Sequence, residues 1–60
     1  MSRIFRCDQQ YASVEVDASL ACVTVEGTVH VTYAKNCRNV LECQRTLKNI
    51  TGKGEWKWIA

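Results

Sequence analysis

The sequence predicts one α+β domain over residues 1–60, in which a small antiparallel sheet of three to four strands packs on one α-helix. A central hairpin is predicted over residues 20–33, because two β-branched runs of alternating polarity flank Gly27. The apolar spacing then becomes helical, which predicts a helix over about residues 37–50. Alternation returns at the C-terminal end and predicts a last strand over residues 55–59. A helix on the apolar face of an antiparallel sheet buries both apolar stripes.

The strand before the hairpin is predicted from the alternation of residues 11–16, in which Ala12, Val14 and Val16 are apolar. Residues 4–7 are predicted to form a first strand, which residues 8–10 would turn back along the sheet.

The register of the hairpin depends on the length of its loop. A two-residue loop requires a positive φ at Glu26, whereas a three-residue loop over residues 25–27 requires it only at Gly27. The three-residue loop is therefore predicted, and it pairs Val23 with Val29. That register places the apolar residues of both strands on one face, namely Ala21, Val23, Val25, Val29, Val31 and Tyr33.

The helix is predicted from apolar residues that recur every three or four positions, with Asn36 as its N-cap and Gly52 as its stop. Its apolar stripe consists of Val40, Cys43, Leu47 and Ile50.

The four cysteines contain no C-x-x-C pair, which argues against a zinc ribbon or knuckle. The favoured interpretation is that they are small buried hydrophobic residues in a reducing compartment, with disulfides and a metal site as alternatives. A zinc-stabilised small domain would use Cys22 and His30 on one sheet face, completed by Cys7 and Cys37.

Cys37 has two interpretations. It lies in the first predicted helical turn between Lys35 and Arg38, where cations and the helix N-terminus lower the pKa of a thiol. The favoured interpretation is nevertheless a residue at the edge of the core, because no histidine is close in sequence to act as its partner.

The net charge of +2 is uneven, with −2 over residues 1–30 and +4 over residues 31–60. A basic half with aromatic residues raises nucleic-acid binding as an alternative function. Its candidate residues are Arg38, Arg45, Lys48, Lys53, Trp56, Lys57 and Trp58. Glu42 in the same segment weakens this interpretation, since a phosphate-binding surface avoids a central carboxylate.

The sequence contains one histidine and no catalytic motif, so we expect no enzyme activity and no cofactor. No stretch resembles a signal peptide or a membrane span, and we expect a cytoplasmic protein that does not enter the membrane. A chain of 60 residues has marginal stability alone. We therefore expect a non-enzymatic binding or regulatory module that acts through protein contacts, as a homodimer or with a larger protein. The size, the missing export signal and the lack of enzyme motifs suit an accessory or regulatory protein of a bacterium or bacteriophage.

Overall fold

The computed structural model describes all 60 residues as a five-stranded antiparallel sheet with one α-helix on one face. The strands are β1 (Ser2–Cys7), β2 (Gln10–Val16), β3 (Leu20–Val25), β4 (Thr28–Tyr33) and β5 (Lys57–Trp58), and the helix is α1 (Val40–Thr51). A 3-10 helix, Ala34–Cys37, connects β4 to α1. Across the sheet the order is β4-β3-β2-β1-β5. The predicted α+β class, central hairpin and helix are confirmed, while the last strand is shorter than predicted.

The hairpin formed by β3 and β4 has a two-residue loop, so the predicted three-residue loop is wrong. Val25 pairs with Thr28 and Val23 pairs with His30. The two loop residues have positive φ, 48° at Glu26 and 85° at Gly27, as a type I′ turn requires.

A contact with β2 explains why Glu26 adopts this unfavourable conformation. The backbone N–H of Tyr11 donates a hydrogen bond to a carboxylate oxygen of Glu26 at 3.3 Å. The Glu26 N–H in turn donates to the Tyr11 carbonyl at 3.5 Å. A neighbouring strand therefore holds the loop, and no pattern within the hairpin's own sequence reveals that contact.

The helix begins later than predicted, at Val40, and Asn39 rather than Asn36 is its N-cap. The Asn39 side chain accepts a hydrogen bond from the Glu42 N–H at 2.9 Å. Asn36 lies in the 3-10 helix, where its side-chain amide donates to the Thr32 hydroxyl at 2.8 Å. The predicted helix end is confirmed, because Gly52 has a φ of 75° and its N–H donates to the Lys48 carbonyl.

The core lies between α1 and the inner face of the sheet, which is the face that α1 covers. Trp56 is its largest side chain, and its indole N–H donates to the Thr51 hydroxyl at 3.0 Å. This bond satisfies the polar atom of a buried ring. The buried residues are Phe5, Cys7, Ala12, Val14, Ala21, Val23, Val25, Cys37, Cys43, Leu47 and Trp56.

With its 12 residues, α1 is too short to cross a lipid bilayer, and no other helix of the structure is long and apolar enough to do so.

Candidate protein-binding edge of the sheet

The two edges of the sheet are unequal. The edge strand β5 has only two residues, one of which is Lys57, and a short or charged edge discourages pairing with another chain. The opposite edge strand, β4, has six residues, and its sequence TVHVTY contains no proline, lysine or acidic residue. Thr28–Tyr33 therefore lacks the usual sequence features that protect an edge strand.

The direction of the backbone groups in β4 follows from the hydrogen bond that continues its ladder with β3. The Ala34 N–H donates to the Ser19 carbonyl at 3.0 Å. Since antiparallel pairs alternate, the even-numbered residues of β4 bond to β3, and the odd-numbered residues direct their N–H and C=O groups outward. Three donors and two free acceptors therefore point away from the sheet, on Val29, Val31 and Tyr33, since the Tyr33 carbonyl accepts the first bond of the 3-10 helix.

The side chains of the same residues form an apolar surface. The odd-numbered residues of β4 point to the outer face of the sheet, which no helix covers, and Val29, Val31 and Tyr33 are 58%, 63% and 64% exposed. Leu20 of β3 lies opposite Tyr33 and is also exposed. We call these four residues the β4 patch. Apolar residues grouped beside an open strand edge are a common feature of interaction surfaces.

The inner face of β4 has the opposite character. His30 and Thr32 point toward α1, and with Arg45 and Asn49 of that helix they line an open groove of about 560 Å³. Polar residues predominate in this groove, because α1 does not extend over β4 as it does over the central strands. A strand added at β4 would thus meet apolar side chains on its outer face and polar ones on its inner face.

The structure does not bring the predicted metal-binding residues together. Cys22 is exposed on the outer face opposite Val31, whereas His30 lies on the inner face opposite Val23. The two-residue loop produces this separation, since a shift of one residue in register moves side chains to the other face. Cys7 and Cys37 are buried in the core, and no group of three or more His, Cys, Asp or Glu residues is arranged to hold a metal ion.

The thiols of Cys37 and Cys43 lie together in the core. Burial raises the pKa of the Cys37 thiol above its ordinary value, which contradicts the reactive-thiolate interpretation and agrees with a core residue. Burial, together with the nearby Cys37 thiol, raises the pKa of Cys43 to about 11. The Cys43 thiol donates to the Cys37 carbonyl at 3.7 Å. Both side chains are therefore neutral thiols at neutral pH.

The predicted nucleic-acid residues lie on several elements. Trp56 is only 2% exposed, so its ring is not accessible for stacking on a base. Trp58 is half exposed, with the Arg3 guanidinium 5.9 Å from the centre of its ring. The Lys53 ammonium donates to the Gln10 side chain at 2.9 Å. Of the other basic candidates, Arg38 precedes α1, Arg45 and Lys48 lie on it, and Lys57 is in β5.

The exposed β4 edge is the feature that the sequence reasoning missed. An uncharged strand of six residues was visible in the sequence, and it is the signal that identifies an unprotected edge. The predicted register placed the β4 valines in the core, so it did not indicate an exposed apolar surface beside this edge.

Comparison of the chain with protein-family models, with curated proteins and with solved structures finds no match.

Proposed function

We propose that this protein is a non-enzymatic binding or regulatory module that acts through protein contacts by accepting an extended strand at β4. The observation that carries the proposal is the row of outward backbone groups on Val29, Val31 and Tyr33, beside an exposed apolar surface. Addition of a strand to an open sheet edge is a recurring mode of protein recognition, in which main-chain hydrogen bonds provide affinity.

The energetics of the edge favour this function. Five additional backbone hydrogen bonds would contribute roughly 0.5–1.5 kcal/mol each, before the cost of association is subtracted. Burial of the β4 patch adds a hydrophobic contribution of about 25 cal/mol for each Å² removed from water. Because main-chain bonds supply much of this affinity, the accepted strand needs an extended backbone more than a particular sequence.

We include in this proposal that the protein is an accessory protein located in the cytoplasm, as the sequence predicts. Four free cysteines, of which three are buried, suit a reducing compartment. The only histidine, His30, and the exposed thiol of Cys22 lie on opposite faces of the sheet, so they do not form a nucleophile and base pair.

A proline substitution at the centre of β4 tests the proposal. Val31→Pro removes an outward N–H and places a ring in the path of an added strand, while the bonds from β4 to β3 remain. Val31→Thr is the matched control, since it keeps the N–H and the branched shape. Single copies immobilised at low density would be screened against a displayed library of random peptides, and bound peptides would be measured by fluorescence anisotropy.

We expect the wild-type protein and V31T to bind the selected extended peptides, and V31P to lose that binding while keeping the same circular dichroism spectrum. Peptides that bind V31P as tightly as the wild type would show that β4 is not the binding edge.

A further inference from the structure

We infer that the strand accepted at β4 is β4 of a second copy of this chain, paired antiparallel in a register centred on Val31. This inference rests on the proposed function and identifies its partner.

The hydrogen-bonding pattern of β4 is complementary to itself. A two-fold axis at Val31 pairs Val31 with Val31 of the second copy, and Val29 with Tyr33 of the second copy. The Val31 pair exchanges two backbone bonds, and each Tyr33 N–H donates to the Val29 carbonyl of the other copy, so four bonds join the strands. The Tyr33 carbonyl already accepts the first bond of the 3-10 helix. A register shifted by two residues would pair Val29 with Val31 and leave the outward N–H of Tyr33 unused, so the side chains decide between the two registers.

The side chains agree with this register. On the outer face, Val29 of each copy lies opposite Tyr33 of the other, and aromatic residues paired with β-branched ones stabilise a sheet. The β4 patches of the two copies then become one continuous apolar surface across the axis. On the inner face His30 lies opposite Thr32 of the second copy, and Thr28–Tyr33 contains no lysine, arginine or acidic residue that symmetry would place against itself.

Charges at the two ends of the paired strands are complementary. The centred register directs the segment after Tyr33, which carries Lys35, toward the Glu26–Gly27 loop of the second copy. The two-fold axis repeats this approach of a positive side chain to a negative one at the other end. An uncharged strand flanked by Lys35 on one side and Glu26 on the other suits a second copy better than a uniformly acidic or basic partner.

The core is small, so association with a second copy would stabilise the folded chain. Only 11 of the 60 residues are buried, and small domains commonly gain stability by oligomerisation. Pairing of the β4 strands would turn two five-stranded sheets into one continuous sheet and cover the unprotected edge of each.

Light scattering and sedimentation test the association. We expect the wild-type protein and V31T to have twice the 6.8 kDa mass of one chain. Val31→Lys places two positive charges together on the axis, and we expect it to raise the dimer dissociation constant at least about tenfold. V31P gives a second, uncharged disruption, and circular dichroism would establish that each variant is folded.

Cysteine cross-linking tests the register in a Cys22→Ser background, which removes the only exposed native thiol. Residues that form a hydrogen-bonded antiparallel pair have Cα atoms about 5.5 Å apart, within the range of a disulfide. With oxidised glutathione as oxidant, two Val31→Cys thiols form one disulfide and release two reduced glutathione molecules. Val29→Cys alone should not cross-link, since its symmetry mate is about 14 Å away along the strand. A mixture of Val29→Cys with Tyr33→Cys should cross-link.

A monomer at the highest soluble concentration, or a dimer in which Val31→Cys cross-links no faster than Val29→Cys, would overturn the inference. If immobilised copies still select peptides that V31P fails to bind, only the second copy is excluded and the proposed function stands. A wild-type protein that neither binds peptides nor dimerises would reject the protein-binding edge itself.

Discussion

Position 26 tests the hairpin register on which the β4 edge depends. Glu26 has a φ of 48°, and a left-handed conformation costs most L-residues about 1–2 kcal/mol. Asparagine tolerates this conformation, and Asn-Gly is a preferred type I′ sequence. The Glu26→Asn and Glu26→Ala variants both lose the carboxylate that accepts from the Tyr11 N–H, so that loss cancels in their comparison. We expect the free energy of unfolding of E26N to exceed that of E26A by about 1 kcal/mol.

For a domain of this size, that difference corresponds to a Tm about 4–8 °C higher for E26N. Urea and thermal unfolding would be followed by circular dichroism at one fixed protein concentration, because the Tm of any protein that associates depends on its concentration. If E26A is as stable as E26N, the backbone at position 26 has a negative φ. The three-residue loop would then be right, Val31 would point inward, and the β4 patch would not exist.

Three further outcomes follow from the core and its thiols. Titration with a disulfide reagent at neutral pH should show one fast cysteine, lost in Cys22→Ser; several fast thiols would contradict the burial of the others. Because burial raises the folded pKa of Cys43 from 9.0 to about 11, its stabilisation is complete below pH 9 and is lost as pH rises toward 11. At pH 10 this loss is roughly 1 kcal/mol, and urea unfolding should show a smaller loss in Cys43→Ala; an unchanged pH dependence would refute the assignment. Trp56→Phe loses the hydrogen bond to Thr51 and should lower the free energy of unfolding by about 2 kcal/mol, measured with denaturant. Trp58→Phe should lower it by less than about 0.5 kcal/mol, because Trp58 is half exposed. Equal losses in the two variants would contradict the finding that Trp56 is buried and Trp58 is not.

Local sequence patterns predicted the elements well and their ends less well. The apolar stripe of the helix places Cys43 and Leu47 in the core as expected. Its start was misplaced because both Asn36 and Asn39 are suitable N-caps, and the choice depends on a tertiary contact. Asn36 is already engaged with Thr32 of β4, a strand that the helical pattern does not include.

The candidate site could not be predicted from the hairpin alone, because burial in a sheet depends on the lateral position of each strand. The alternating pattern favours the register that buries the valines of both strands, and that register would be expected if both strands lay in the middle of a sheet. Here β3 is internal and buries Ala21, Val23 and Val25, whereas β4 is an edge strand. The order of strands across a sheet is a non-local property that alternating polarity does not encode.

The relative widths of the helix and the sheet explain why the inner face of β4 is polar. An α-helix with its side chains is about 10–12 Å wide, and neighbouring strands are about 4.8 Å apart, so one helix covers two or three strands. Five strands therefore leave at least one edge outside its cover. If the β4 valines pointed inward, they would line a groove that α1 does not close. The observed register places His30 and Thr32 there instead, and directs Val29 and Val31 to the outer face, which no helix covers. The polar inner side of β4 is thus a consequence of the limited width of a single helix.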